Sequence, residues 1–163
     1  MSVLARSVKG PKDEITTPET FRKGEEFESY VRGHLLPKDK YLLLQRTHGY
    51  ASNKDDFIES SKEPDFKFQS ITSGRTFYVE AKYRSGYYRG TVRWCKSYQL
   101  RRYRETDRST PVYIVIGMGE EPGAPSRVFF VPVKNIRYAR LFPSFLRSYE
   151  VPPGRCICES QLQ

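Results

Sequence analysis

The chain has 163 residues, with 28 lysines and arginines against 19 aspartates and glutamates for a formal net charge of +9, 37% hydrophobic residues and 14% aromatics. This suits one domain with a single aromatic-rich core, excludes disorder throughout, and favours an anionic partner, nucleic acid first. Three cysteines, Cys95, Cys156 and Cys158, make no disulfide framework, and Cys156-x-Cys158 lacks the second pair of a structural zinc site. No apolar run reaches signal-peptide or membrane-spanning length, so a soluble, cytoplasmic protein with no membrane association is expected.

Residues 1–18 mix small, charged and proline residues without periodicity and read as a flexible N-terminal arm before a single domain at 19–150. From Thr20, the residues Phe27, Tyr30, Val31, His34 and Leu35 recur at helical spacing, and Pro37 ends that helix. Tyr41 to Arg46 is a short apolar run expected to be a buried strand, followed by a polar, acidic connection from Ala51 to Glu63. Trp94 to Glu105 reads as a helix, Pro111 to Gly117 as a central strand apolar on both faces, and Arg127 to Val133 as a strand ending at its proline. Helical or turn-rich spacing follows Val133, and residues 151–163, with Pro152-Pro153-Gly154, read as an unpacked C-terminal tail. The order of elements predicts a mixed sheet with helices on its faces.

Between these lies the most informative stretch, Pro64 to Arg84, which reads as two aromatic and β-branched strands joined by a tight turn at Ser73-Gly74. Alternation puts Phe77, Val79 and Ala81 on one face of the second strand and Tyr78, Glu80 and Lys82 on the other. Closure over Ser73-Gly74 sets Asp65 opposite Lys82, at about 5 Å, and diagonal to Glu80, at about 7–8 Å. A one-residue slip would move Asp65 to the other face. Two carboxylates and a lysine suit metal-assisted phosphodiester hydrolysis: the acids hold Mg²⁺ (or Mn²⁺), the ion polarises the phosphate and acidifies a water, and the lysine orients that water or offsets transition-state charge. The competing reading is an exposed salt-bridge cluster on a sheet face.

Pro64-Asp65 followed by Glu80-Ala81-Lys82 on a strand resembles the signature of the PD-(D/E)XK nuclease superfamily. Gly24-Glu25-Glu26-Phe27-Glu28 is similar to the Gly-x-x-Phe-Glu helix that precedes the core in restriction-type and resolvase-type members, and Gln99-Leu100-Arg101-Arg102-Tyr103 with Pro111-Val112-Tyr113 resembles the glutamine-bearing helix and following strand of several families. The resemblance covers roughly residues 20–146. It implies a restriction endonuclease-like, three-layer α/β/α core with a mixed sheet of four or five strands. It also implies a metal site from Asp65 and Glu80, a catalytic Lys82, Glu28 completing or supporting the site, Gln99 near it, and a homodimer as one available assembly. On residue type alone, Glu28 is equally a solvated helix glutamate and Gln99 an ordinary polar helix residue. His34 and His48 have no carboxylate or cysteine spacing around them that suggests a role.

Basic and aromatic residues interleave from Lys82 to Arg108. Arg84, Tyr87, Tyr88, Arg89, Arg93, Lys96, Arg101 and Arg102 are the candidates to meet phosphates and bases, with Trp94 and some tyrosines alternatively in the core. The resulting expectation is a Mg²⁺-dependent endonuclease acting on DNA. The alternatives are a non-catalytic nucleic-acid-binding module built on segment 82–108 and an interaction domain using the tyrosine-rich loop 85–90.

Overall fold

The computed structural model describes residues 18–47 and 63–163. Most of the arm, the acidic connection up to residue 62, and His48 lie outside the described residues. Helix α1 (Pro18–Tyr30) opens on a proline, whose missing N–H costs nothing at a first helical position, with Glu19 set against the positive helix end. Glu19–Lys23 and Arg22–Glu26 pair four residues apart along its outer face. A π-helical turn at Val31–Leu35 continues it, closed by the Leu36 N–H donating to the Val31 carbonyl at 2.8 Å. The apolar stripe of Phe27, Val31 and Leu35 faces inward throughout.

The strands follow: β1 (Tyr41–Arg46), β2 (Phe66–Ser70), β3 (Thr76–Arg84), β4 (Val92–Arg93), β5 (Val112–Met118), β6 (Arg127–Pro132), β7 (Arg140–Leu141) and β8 (Glu150–Val151). Helix α2 (Ser97–Asp107) lies between β4 and β5, and the short α3 (Pro143–Leu146) between β7 and β8. Six strands form one sheet in the order β1-β2-β3-β5-β6-β8, while β4 and β7 pair separately. The parallel pairing, β3 with β5, is the one whose connection must cross the sheet, and α2 supplies that crossover. β5 is buried at every position, as its unbroken apolar run requires.

Each face of the sheet carries its own core. Phe27, Val31 and Leu35 pack on Phe66, Phe68, Phe77, Val79 and Val115 on one side; Trp94, Leu100 and Tyr103 pack on Ile114, Ile116 and Phe129 on the other. One glycine fixes how α1 sits: a Cβ at Gly117 in β5 would overlap the Phe27 ring, so the missing side chain lets α1 approach the strand.

Several sequence expectations need correction. The hairpin turn is a four-residue loop, Ile71–Gly74, closed by the Ser70 N–H on the Arg75 carbonyl at 2.8 Å, with Gly74 at φ 73°. The register is Phe66 to Val79 and Phe68 to Phe77, so in continuation Asp65 faces Glu80 rather than Lys82. A two-residue shift preserves the face, because the side-chain period is two. The run Tyr41–Arg46 is an edge strand, with Tyr41 buried and Leu42, Leu43 and Leu44 exposed. The helix expected from Trp94 starts at Ser97, leaving Trp94 and Cys95 buried ahead of it.

Finally, the C-terminal segment is packed. β8 pairs with β6 and adds a strand beyond the four or five expected. Ile157 and Leu162 are buried in the α1-side core, Ile157 donates its N–H to the Leu35 carbonyl at 2.9 Å, and the Tyr41 hydroxyl donates to the Ile157 carbonyl at 2.8 Å. None of the described helices is long and apolar enough to cross a membrane.

Ile157→Ala is therefore expected to destabilise the protein by about 2–4 kcal/mol, as a buried aliphatic truncation does. That corresponds to a fall in melting temperature of roughly 4–16 °C for a chain of this size. A melting temperature unchanged by the substitution would mean that the segment does not close the core.

Candidate active site

Glu80 occupies the middle of β3, flanked in the sheet by β2 on one side and β5 on the other, and is 3% exposed. A buried carboxylate needs partners, and three reach it. The Lys82 ammonium lies 2.7 Å from Oε1, the Asp65 backbone N–H donates to Oε2 at 3.2 Å, and the Tyr103 hydroxyl on α2 hydrogen-bonds it from the neighbouring layer. Asp65 stands just ahead of β2, half-buried, and its Oδ2 accepts the Ala81 N–H at 2.8 Å. The approach to it is fixed on the other side by the Thr47 N–H on the Asp65 carbonyl and the Thr47 hydroxyl on the Pro64 carbonyl, both at 2.8 Å.

Glu28 comes from α1. Phe27, seated against Gly117, turns the next residue toward the end of β3, where Glu28 accepts from Arg46 at 3.1 Å while the same nitrogen reaches Glu25 at 2.9 Å. A cleft of about 490 Å³ opens here, with Lys23, Gly24, Glu28, Asp65, Lys82 and Arg84 among its walls. Glu80 is not among the walls, but its partners Asp65 and Lys82 are.

The charges press on one another. Burial, and next the Glu80 carboxylate, push the Asp65 carboxyl well above its ordinary value, against the opposing pull of Lys82 and the Ala81 amide. Burial also raises Glu28, with Arg46 opposing. Burial by itself would lower the Lys82 pKa, but Glu80 and Asp65 outweigh it and hold the ammonium above its usual range. Tyr103 is raised by burial and then by Glu80 and Asp65, so its hydroxyl stays a donor. The neighbouring Cys95 thiol, pushed up to about 12 mainly by burial, is inert at neutral pH.

Asp65, Glu80, Lys82 and Glu28 are thus brought together, and Gln99 is not. The Gln99 side-chain oxygen accepts the Lys96 N–H at 2.8 Å, closing the first turn of α2, and the residue is absent from the cleft wall. Tyr103 was passed over as a site residue by the sequence reading, although its position three after the buried Leu100 puts it on the inward face of α2.

Among the nucleic-acid candidates, Tyr88, Arg89, Arg93, Lys96 and Arg101 are exposed. Tyr87 packs against the α2-side core, Arg102 lies over the Tyr103 ring, and Arg84 bonds the Arg93 and Trp94 carbonyls at 2.9 and 3.2 Å.

Among the described residues, no group of three or more histidine, cysteine, aspartate or glutamate side chains forms a metal cluster. The donor set nevertheless fits a hard divalent cation. Asp65 and Glu80 offer oxygen ligands in the number that commonly anchors Mg²⁺, and the upward push on Asp65, first from burial and next from Glu80, is one a bound cation would oppose.

The sheet order, the central parallel pair and the helices on both faces define a restriction endonuclease-like fold. Among solved structures, the chain is similar to the Holliday junction resolvase Hjc of the archaeal hyperthermophile Archaeoglobus fulgidus, at TM-score 0.55 and 14% identity, over 78% of this chain and 89% of that one. No family model matches the chain, and no curated protein matches it.

A carboxyl whose folded pKa is raised contributes stability while protonated and loses it as pH climbs through the raised value. Asp65→Asn is therefore expected to stabilise the metal-free protein by about 1 kcal/mol near neutral pH and by little near pH 4, where an ordinary carboxyl is already half protonated. Thermal melts of both proteins in EDTA across this range measure the difference. A variant less stable than wild type at neutral pH would overturn the reading that burial and Glu80 disfavour the ionised Asp65.

Proposed function

We propose that the protein is a metal-dependent nuclease that hydrolyses phosphodiester bonds in DNA. The observation that carries the reading is the buried Glu80, paired with Lys82 and adjoined by Asp65, two residues that themselves line a cleft. The likeness in fold to a Holliday junction resolvase supports it. Mg²⁺ or Mn²⁺ held by Asp65 and Glu80 would polarise the scissile phosphate and acidify the attacking water.

The chain's own groups supply the rest. Lys82, kept protonated by its acidic neighbours, faces the cleft as a cation that offsets charge building on the phosphate oxygens. Glu28, oriented by Arg46, adds negative potential at the cleft wall and an acceptor for a water. Tyr103 holds Glu80 from below so that its carboxylate does not swing away when Lys82 turns toward substrate. Water attacks phosphorus and gives up one proton to solvent as the bond to one ester oxygen breaks, and that oxygen leaves with a proton from solvent.

A non-catalytic nucleic-acid-binding role is the second reading. The exposed Tyr88, Arg89, Arg93, Lys96 and Arg101, none of them in the acidic cluster, favour it.

With plasmid and branched DNA, cleavage is expected in Mg²⁺ or Mn²⁺ and is lost in EDTA. Asp65→Ala and Lys82→Ala should each lower the rate by about 100-fold or more, the scale of losing one group that stabilises transition-state charge. Equal rates in wild type and both variants, measured on gels, would sink the nuclease reading; salt-sensitive binding without cleavage would establish the second. Light scattering of the same samples tests assembly as a homodimer.

A further inference from the structure

Beyond the cleft, the small β4–β7 sheet presents a surface that the hydrolytic groups do not use. Val92 and Leu141 face each other and are buried, whereas Arg93 and Arg140 face each other and are exposed. Directly opposed like charges disfavour a strand pair. Arg140 makes no ion pair or hydrogen bond among the described residues, and Arg93 reaches only the Cys95 carbonyl, at 3.4 Å.

On the β7 side exposure alternates, with Tyr138 64% exposed, Arg140 exposed and Phe142 61% exposed, while Ala139 and Leu141 turn toward the core. Two uncompensated guanidiniums therefore share one face of the strand pair, and an exposed ring stands two residues to either side of Arg140 in the chain. Its backbone is tied to the core: the Trp94 N–H donates to the Ala139 carbonyl at 3.1 Å, and the Trp94 indole is fully buried.

The face is also tied to the hydrolytic centre. Arg84, two residues and about 7 Å along β3 from Lys82, grips the Arg93 and Trp94 carbonyls. Between them, residues 85–91 rise into a hairpin tip where Tyr88 and Thr91 pair, with Arg89 at φ 51° and Gly90 at φ 75°. This two-residue turn demands left-handed backbone, which glycine supplies readily and arginine does not. The arginine placed there stacks its guanidinium 5.3 Å from the ring centroid of Tyr88, itself 69% exposed.

We propose that this face is a binding site for unpaired nucleotides of a DNA substrate, whose bases stack on Tyr138 and Phe142 and whose phosphates meet Arg93 and Arg140, beside the hairpin tip Tyr88–Arg89. The proposal rests on the reading that the protein acts on DNA and narrows the substrate class to DNA with unpaired segments. Guanidiniums without carboxylate partners suit phosphates. Exposed rings gain by stacking only on bases whose faces are free, which the interior of a duplex does not offer.

The test uses the full chain in EDTA, with a continuous duplex and the same duplex carrying a single-stranded flap that contains 2-aminopurine. Wild type should bind the flap substrate more tightly and quench its fluorescence. The double variant Tyr138→Ala/Phe142→Ala, which removes exposed rings, should lose about tenfold or more in flap affinity together with the quenching, while duplex affinity and melting temperature stay unchanged. Phe142→Trp should retain both affinity and quenching. Arg140→Ala should weaken both substrates alike and lower the salt slope by about one.

Undiminished flap preference and quenching in the double variant overturn the proposal, and so does a wild type that binds protein partners but no DNA. The double variant keeps Asp65, Glu80 and Lys82. Flap preference without cleavage in Mg²⁺ by wild type would therefore remove the nuclease reading and leave this site standing.

Discussion

A carboxylate buried in the centre of a β-sheet is the constraint around which the rest of this molecule is arranged. An ionised group shut away from water is tolerated only when it is paired and hydrogen-bonded, and for Glu80 each partner is delivered by a different part of the chain. Lys82 arrives two residues along the same strand, the Asp65 N–H from the start of β2, and Tyr103 from the crossover helix. Hairpin register, crossover position and helix rotation must all be right for Glu80 to be satisfied. A site of this kind is specified by the same packing that specifies the fold.

The two cores divide the work. The α1-side core sets Glu28 through Phe27 and Gly117, a contact in which the absence of a side chain is the positioning device. The α2-side core carries Tyr103 and Trp94 behind Glu80 and fixes the strand that leads away from the cleft. Glu28, Asp65 and Lys82 line the cleft between the layers, beside the loop that follows β3, where the chain is free to differ without disturbing either core.

Much of this was legible in the sequence because the period-two alternation of β3 survives any even shift in register. Glu80 and Lys82 shared a face whichever turn closed the hairpin. Pairing partners were not legible, since nothing local distinguished a two-residue turn at Ser73-Gly74 from the loop Ile71–Gly74; the error moved Asp65 from Lys82 to Glu80 without leaving the face. Leu42 to Leu44 read as buried because hydrophobicity does not reveal that a strand lies at an edge. Residues 151–163 read as a tail because prolines and glycine mask two well-spaced anchors, Ile157 and Leu162. Tyr103 was hidden among basic neighbours whose charge suggested the surface, although helical phase put it inside.

The hydrogen bond between Tyr41 and Ile157 spans 116 residues of chain. The chain from Leu35 through Ile157 must therefore be present before the α1-side core can close, and until then Tyr41 and Leu35 lack these partners. Loop-closure entropy is spent before such a contact returns anything, so the step belongs late on the folding path. During synthesis the central strands can pair early, whereas the α1-side core closes only once Ile157 and Leu162 are available, and until then its apolar surface is open to aggregation.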